Sequence, residues 1–394
     1  MYMDILEKDK SLFLSTYNRI PLNIDFGQGV HLFDKEGNRY LDFFSGLAVN
    51  ALGYAHPRIV QAVADQISKF AHLSNNYITD IQIEFTELLL KYAKMSKAFL
   101  TNSGTESIEG AIKLIRKKFG PDKKIFALTD SFHGRTYGAL SLTGRQKYKT
   151  GFEPLLPNIS YINFNDVADL EKKIDNDTAA IFLELIQGEG GINLVSQDFI
   201  TKIIELKKRY SFLIVADEIQ SGIGRTGRPF AYNHFNLSPD IVVVAKAIGG
   251  GLPLGAFLVS PEISDVFEIG KHGTTFGGNP VSCAAGKVVL EEVFESGLMN
   301  EVAELGDYFF NQLLEIKKMF PGDIKDVRGK GFMIGIELSY ECSDIVKEMR
   351  EKKVLVNCTN KNVIRILPPL ISTKSDIDFF LFNLHETLKT KNNK

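Results

Sequence analysis

A lysine at the end of an apolar run is the first residue in this sequence that could do covalent chemistry. Residues 241–255 read IVVVAKAIGGGLPLG, so Lys246 follows a strand-like run and precedes three glycines. A buried lysine has a lowered pKa, and its neutral amine can form a Schiff base with an aldehyde. The glycines allow the backbone to approach a bulky ligand. A lysine that extends from a strand end into solvent is the structural alternative.

A second apolar run ends in an acid. Residues 212–227 read FLIVADEIQSGIGRTG, with Asp217 at the end of the run and Gln220 in the glycine-rich loop after it. Ligands of open α/β sheets bind at the carboxyl ends of the strands, so we expect Asp217 and Lys246 at one edge. An acid opposite a pyridine nitrogen keeps that nitrogen protonated and makes the ring an electron sink. A helix cap is the structural alternative for Asp217.

The elements that must position these residues alternate along the middle of the chain. Short apolar runs of the kind that are buried on both faces alternate with amphipathic stretches at 108–118 and 199–209. The candidate strands are 98–101, 124–128, 179–183, 212–216, 241–245 and 256–259. This alternation predicts an α/β fold with a mostly parallel central sheet and helices on both of its faces.

The pattern of predicted strands and helices at both ends of the chain differs from that in the middle. Strand-like runs occur at 30–33 and 40–44, a helix is expected after His56-Pro57, and a long helix near 299–319 precedes strands near 332–338 and 363–367. A chain of 394 residues exceeds the usual size of a single core. We therefore predict a large domain over 61–295 and a smaller α+β domain built from 1–60 and 296–394.

Composition narrows the class of protein. A net charge of −2 gives no reason to expect nucleic acid or an anionic membrane as partner. Three cysteines without a CxxC pair predict neither a disulfide framework nor a zinc site, which suits a reducing cytosol. The scattered histidines contain no HxxxH pair, so no metal site is expected. The opening MYMDILEKDK predicts no signal peptide, and no apolar run approaches the roughly 18 residues of a membrane span. A cytoplasmic protein is expected.

The motifs between Gly29 and Pro369, taken in order, resemble the class III (ω-amino acid) aminotransferases, which are fold-type-I pyridoxal-phosphate enzymes. The resemblance implies pyridoxal 5′-phosphate as cofactor. It implies that Lys246 anchors the cofactor covalently and acts as general base and acid, and that Asp217 faces the pyridine nitrogen. It also implies a homodimer with shared active sites. A catalytically inactive binding protein and a racemase or aminomutase that uses the same cofactor are the alternatives from other classes.

Two further motifs carry the cofactor contacts that the resemblance implies. In NSGTE, residues 102–106, a helix N-terminus would bind the cofactor phosphate, because its backbone N–H groups are free. In DSFHGRTYGALSLTG, residues 130–144, an aromatic residue would cover the ring. An ordinary helix cap and core packing are the structural alternatives. The implied contacts are Ser103, Gly104, Thr105, Phe132, His133 and Gln220.

A switch between two substrates is implied by ELIQGEGG, residues 184–191, and VIRILPPL, residues 363–370. The first motif is similar to the family's EPIQGEGG, with Leu185 in place of proline. Glu189 would hold Arg365 while an amino donor without a carboxylate at that end is bound. Arg365 would turn to the α-carboxylate when glutamate or 2-oxoglutarate binds. A surface ion pair of small energy is the structural alternative.

Other substrate contacts come from three separate segments. Arg135 would bind the donor's carboxylate, since a planar guanidinium makes two parallel hydrogen bonds to it, together with Tyr17 and Asn50. HGTTFGGNP, residues 272–280, matches a segment that crosses the dimer interface in this family. There Thr275 would donate to the phosphate of the neighbouring subunit's cofactor, and Thr274 would contact substrate. A glycine-rich turn is the structural alternative.

The choice of donor depends on finer similarity. DFFSGLAVNALGYAHP, residues 42–57, and LVNCTNKNVIRILPPL, residues 355–370, are most similar to acetylornithine aminotransferases of arginine biosynthesis. Gly46 stands where ornithine aminotransferases have tyrosine, which leaves room for an acyl group. The expected ping-pong reaction converts N-acetylornithine and 2-oxoglutarate into N-acetylglutamate semialdehyde and glutamate. Donors that share most of these motifs are 4-aminobutyrate, ornithine, succinylornithine and diamines.

Overall fold

The computed structural model describes residues 5–392, so the outermost residues of the predicted small domain, 1–4 and 393–394, lie outside it. The strands are β1 Ile24–Gln28, β2 His31–Asp34, β3 Arg39–Asp42, β4 Lys97–Thr101, β5 Lys124–Leu128, β6 Ile159–Ile162, β7 Thr178–Leu183, β8 Ile186–Gln187, β9 Asn193–Leu194, β10 Leu213–Asp217, β11 Ile241–Val244, β12 Gly255–Val259, β13 Ile324–Lys330, β14 Met333–Leu338, β15 Val354–Leu355, β16 Asn357–Thr359 and β17 Val363–Ile366.

The helices vary in length from a single turn to more than twenty residues. They are α1 Ile5–Leu12, α2 Ser45–Ala48, α3 Pro57–Lys69, α4 Asp80–Ala93, α5 Gly104–Phe119, α6 Tyr137–Leu142, α7 Val167–Lys173, α8 Gln197–Tyr210, α9 Pro280–Glu295, α10 Leu298–Met319, α11 Ser343–Glu351 and α12 Lys374–Asn392. Of these helices, none in the described range combines the length and the apolar character that crossing a membrane requires.

The central sheet contains seven strands in the order β4-β12-β11-β10-β7-β5-β6. Strand β12 is antiparallel to both of its neighbours, whereas the remaining strands run in one common direction. Strands β7, β10, β11 and β12 are buried along their whole length, which explains their continuous apolar sequences. The predicted α/β fold with a mostly parallel sheet is confirmed.

Alternate residues of each central strand point to opposite faces of this sheet, and each face has its own core. On one face, Val215 and Val243 pack in a cluster with Ile108 and Ile112 of α5. On the other face, Ile214 and Val242 belong to the larger cluster that contains Phe199 of α8. The predicted helices therefore cover both faces, and the carboxyl edge of the strands between them is left open to a ligand.

The two chain ends meet in a smaller sheet. Strand β15 pairs in parallel with β3, with Val354 opposite Leu41, and extends the antiparallel order β1-β2-β3. A further antiparallel sheet has the order β13-β14-β17-β16. With α10, α11 and α12 these sheets form the α+β part of the fold. The division of the chain at residues 61 and 295 stays a prediction.

A disulfide joins Cys342 to Cys358, with 5.7 Å between their Cα atoms. The expectation that the cysteines form no disulfide was wrong for this pair. Cys342 precedes α11 and Cys358 lies in β16, so tertiary packing rather than a local motif brings them together. Cys283, in α9, is a buried free thiol. The argument for a reducing compartment from cysteine usage therefore loses its support.

The disulfide predicts a thiol count that depends on oxidation. Denatured without reductant, each chain should expose one free thiol, that of Cys283, and after reduction by a dithiol it should expose three. Cys358→Ser should lower the free energy of unfolding by about 2–4 kcal/mol, because the unfolded chain regains the freedom of the closed loop. In the control Cys283→Ser, unfolding should remain sensitive to dithiol. Three free thiols before reduction would contradict the pairing.

Candidate active site

The predicted lysine and acid meet at the carboxyl edge of two neighbouring strands. Strand β10 ends at Asp217, which lies opposite Val243 of the parallel strand β11, and Lys246 follows the end of β11. Both side chains line a cavity of about 480 Å³. The predicted site residues that line it are Ser103, Gly104, Thr105, Phe132, His133, Arg135, Glu189, Asp217, Gln220 and Lys246.

The amine of Lys246 is set up as a neutral nucleophile. Its backbone is left-handed, with φ of 51°, where a 3₁₀ turn, Lys246–Gly249, leads into the glycines. Burial lowers the pKa of Lys246, and the positive charge of Arg365 lowers it further, against the opposing charges of Asp217 and Glu189. Within residues 5–392 its Nζ has no hydrogen-bond or ion-pair partner. The amine is therefore free to react with a ligand in the cavity.

Asp217 is fixed by a buried ion pair with His133. The Oδ2 atom of Asp217 lies 2.7 Å from Nδ1 of His133, and the side chains are 3% and 0% exposed. Its Oδ1 accepts a hydrogen bond from the backbone N–H of Ile219. Burial opposes protonation of His133, but the hydrogen bond and charge of Asp217, with the charge of Glu184, raise its pKa overall. The predicted contact residue His133 therefore lies directly against the acid.

Glu184, which was not predicted as a site residue, joins the same buried group. It follows β7, and its two carboxylate oxygens accept hydrogen bonds from the N–H groups of Phe132, at 2.8 Å, and Gly188, at 3.1 Å. Burial and the charge of Asp217 raise the pKa of Glu184 to about 7, against the lowering effect of His133 and the two N–H groups. An acid after an apolar run is the signal that identified Asp217, and it also marks Glu184.

The N-terminus of α5 presents free hydrogen-bond donors to the cavity. Ser103 is the N-cap, and its hydroxyl accepts from the N–H of Glu106 at 3.4 Å. The N–H groups of Gly104 and Thr105 lie in the first turn, where a helix offers no acceptor. They lie at the positive end of the helix dipole, and this end of a helix favours an anion such as phosphate. The cap and the anion site therefore coexist at this helix end.

Arg135 lies among aromatic rings at the cavity. Its guanidinium carbon is 4.1 Å from the ring centroid of Tyr148 and 5.6 Å from that of Phe132, and these two rings meet edge to face. Arg135 is exposed and pairs with no carboxylate in the described part of the chain. A free guanidinium held by stacking is suited to bind a substrate carboxylate. Tyr148 was not predicted, because its contact depends on tertiary packing.

Glu189 and Arg365 form a buried pair. Nη1 of Arg365 donates to Oε1 of Glu189 at 2.6 Å, and the two side chains are 1% and 24% exposed. Burial alone would raise the pKa of Glu189, but the charge and hydrogen bond of Arg365 lower it below its ordinary value. Oε1 of Gln220 lies 3.5 Å from the same nitrogen. The alternative of a surface pair is therefore excluded.

Five predicted residues lie outside the lining of this cavity, and one of them, Arg365, is paired with Glu189, which does line it. Asn50 lies beside Gly251, which lines the cavity. A Cβ atom added to Gly251 would be 3.3 Å from Oδ1 of Asn50. Thr274 and Thr275 line a second cavity, of about 780 Å³, and Asn102 at the first cavity donates to the Thr274 hydroxyl at 3.4 Å. The side chain of Tyr17 is 80% exposed. One copy of the chain does not bring Tyr17 or Thr275 to the lysine.

Comparison with known proteins decides the family. The sequence pattern of the family Aminotransferase class-III matches residues 13–388. The chain is a class-III aminotransferase. It is 47% identical to the acetylornithine aminotransferase of Aquifex aeolicus, over 95% of this chain and 99% of the relative. It is 41% identical to the acetylornithine aminotransferase of Methanocaldococcus jannaschii, over 97% of each chain.

Solved structures agree with this assignment. The acetylornithine aminotransferase of Elizabethkingia anophelis superposes with a TM-score of 0.88 and 31% identity over 98% of each chain. The ornithine aminotransferase of Toxoplasma gondii superposes with a TM-score of 0.94 and 28% identity, over 98% of this chain and 95% of that one. A further structure of the Toxoplasma enzyme has pyridoxal phosphate at partial occupancy in its active site.

The residues around the cavity fit the cofactor of this family, pyridoxal 5′-phosphate. The free amine of Lys246 suits an aldehyde, and the buried Asp217 suits a protonated pyridine nitrogen. The open N–H groups of Gly104 and Thr105 suit a phosphate. The class-III aminotransferase therefore uses pyridoxal phosphate, and its side chains and backbone N–H groups provide a matching partner for each part of that molecule.

The Asp217–His133 pair predicts a pH-dependent stability. His133→Phe should destabilise the cofactor-free protein by about 3–5 kcal/mol near pH 6, because it leaves the buried Asp217 carboxylate without a counter-charge. The pKa of His133 is raised on folding, so the stabilisation is complete below 6.5 and fades as pH rises through the folded-state pKa. Urea unfolding at several pH values measures this.

The matched control for this pair is His385→Phe, which removes a half-exposed histidine. It should change the free energy of unfolding by less than about 1 kcal/mol. If His133→Phe were equally harmless, or if its effect grew toward alkaline pH, the buried ion pair would not be stabilising in the way described.

Proposed function

We propose that this aminotransferase transfers the δ-amino group of N-acetylornithine to 2-oxoglutarate and releases N-acetylglutamate semialdehyde and glutamate, a reaction of arginine biosynthesis. Relatives of 39–47% identity carry the name acetylornithine aminotransferase, which supports the proposal. The observation that carries it is a pair of arginines at one site, Arg135 free and Arg365 masked by Glu189. The cytoplasm is the proposed location, since both substrates are water-soluble metabolites.

Lys246 and Asp217 are the proposed catalytic residues. Pyridoxal phosphate, when bound, supplies an aldehyde that takes up the amino group and a ring that withdraws electrons. With the donor bound, the Nζ of Lys246 would act as general base and take a proton from the donor's amine-bearing carbon. The lowered pKa of Lys246 favours the neutral amine that this task needs. Asp217, held by His133, keeps a negative charge beside the ring nitrogen.

Arg135 is the proposed ligand of the donor's α-carboxylate, with Asn50 and Tyr17 nearby. Its stacking on Tyr148 orients the guanidinium without occupying its N–H donors. Gly46 lies in α2, a short turn with left-handed backbone and φ of 62°. A larger residue would be strained there and would fill space, so glycine supports a donor that carries an acyl group.

The Glu189–Arg365 pair is the proposed switch between the two substrates. With N-acetylornithine bound, the end that reaches the cofactor has no carboxylate, and Glu189 masks the charge of Arg365. With 2-oxoglutarate bound, the α-carboxylate takes the place of Glu189 on Arg365. The 1% exposure of Arg365 supports this exchange, because a buried guanidinium requires an anion in either state.

A homodimer with shared active sites is the proposed assembly. Large apolar side chains around the second cavity are exposed in the single chain, among them Tyr77, Ile78 and Phe276. Covering such a surface with a second copy removes apolar area from water. Thr275, exposed on the same surface, would then donate to the cofactor phosphate of the partner, and Thr274 would lie at the substrate.

Thr275→Val tests the shared site. Loss of one hydroxyl that donates to a charged phosphate should raise the dissociation constant of pyridoxal phosphate about tenfold or more, with the dimer intact. Sedimentation equilibrium and cofactor titration measure the two quantities. Thr201→Val, on the exposed face of α8, is the control. A fully active monomer would refute the shared site.

A panel of donors assayed for glutamate formation tests the reaction. The kcat/KM for N-acetylornithine should exceed those for ornithine and 4-aminobutyrate by about tenfold or more, because the pocket is complementary to an acylated donor. Lys246→Ala should lower transfer from every donor by about 10³-fold or more, whereas the exposed Lys271→Ala should not. A value for N-acetylornithine well below the other two would end the assignment.

A further inference from the structure

The Glu189–Arg365 pair is hydrogen-bonded by residues that do not line the cavity containing Lys246. We infer that Asn357, Thr359 and Arg145 are positioning residues that hold the switch so that only the Glu189 carboxylate moves. Their effect is therefore specific to the half-reaction with the dicarboxylic keto acid. The inference rests on the switch proposed above and adds the residues that make it work.

Asn357 fixes the guanidinium of Arg365 from behind. Strands β16 and β17 are antiparallel, and Asn357 lies directly opposite Arg365 in their register. Nε of Arg365 donates to Oδ1 of Asn357 at 3.1 Å, while Nη1 donates to Glu189. The bond at Nε remains when Glu189 leaves, so the fork of Arg365 keeps its direction. A guanidinium held in this way presents two N–H groups to an incoming carboxylate.

Thr359 and Arg145 fix the main chain of Glu189. Both donate to its carbonyl oxygen, Thr359 through its hydroxyl at 2.9 Å and Arg145 through Nη1. Nη2 of Arg145 also donates to Oδ1 of Asn360 at 2.8 Å, which ties the arginine to the end of the same hairpin. Alternate residues of a strand share a face, so Asn357 and Thr359 point together toward the pair.

The rest of the loop that carries Glu189 is fixed as well. The N–H of Gly188 donates to Glu184, and Arg328 donates through Nε and Nη2 to the carbonyl of Gly191. With hydrogen bonds on both sides of Glu189, a loop movement would break several of them. Rotation of the Glu189 side chain breaks only its bond to Arg365. The switch therefore operates by side-chain rotation on a fixed backbone.

Two half-reactions, followed separately by cofactor absorbance in the full-length holoenzyme, test this inference. Asn357→Leu and Arg145→Met should each raise the half-saturating concentration of 2-oxoglutarate about tenfold or more, and Thr359→Val about threefold, by loss of bonds to the switch. The half-reaction with N-acetylornithine should stay within about twofold. Thr359→Ser, which keeps the hydroxyl, should restore the wild-type value. Lys361→Gln, on the exposed turn of this hairpin, is the control.

The variant Arg365→Ala separates this inference from the switch itself. If Arg365→Ala uses 2-oxoglutarate normally, the proposed switch is wrong. If Arg365→Ala loses 2-oxoglutarate selectively but the Asn357, Thr359 and Arg145 variants do not, only the positioning role is overturned. Equal slowing of both half-reactions, in step with a lower unfolding midpoint, would also overturn it, because a merely structural role has that signature.

Discussion

The parallel pairing of β10 with β11 is the constraint on which the active site depends. Neighbouring strands lie about 4.8 Å apart, and the register that sets Asp217 opposite Val243 fixes where the acid and Lys246 emerge. Strand β7, on the other side of β10, delivers Glu184 to the same edge. Each strand is apolar and buried on both faces, so the chemistry is confined to the residues that follow the strand ends.

Charge in this site is coupled from one residue to the next. Arg365 lowers the pKa of Lys246, and Glu189 opposes that effect while it masks Arg365. The state of the switch therefore acts on the amine as well as on the substrate. On the other side, His133 compensates the buried Asp217, and Glu184 faces both of them. Little water reaches these groups, which strengthens each interaction and makes each unpaired charge costly.

Local sequence was enough to predict the central strands, Lys246 and Asp217, because apolar runs that end in a polar residue deliver it to a known edge. Strand β6 was missed, since an edge strand that reads ISYI is partly exposed and lacks the continuous apolar signal. The Cys342–Cys358 disulfide and the contacts of Asn357 were missed for another reason. They depend on the register of a distant hairpin, which no local pattern encodes.

The burial of Arg365 has a consequence for the carbonyl compounds that the site can accept. A guanidinium with 1% exposure cannot be left without a counter-charge at reasonable cost. In the proposed switch, an aldehyde or ketone without a carboxylate next to its carbonyl cannot replace Glu189, so it would bind while Glu189 neutralises Arg365, as the aldehyde formed from the donor does. The proposed switch would thus let one site bind an aldehyde and a 2-oxo acid in turn, because Arg365 has a counter-charge in both states.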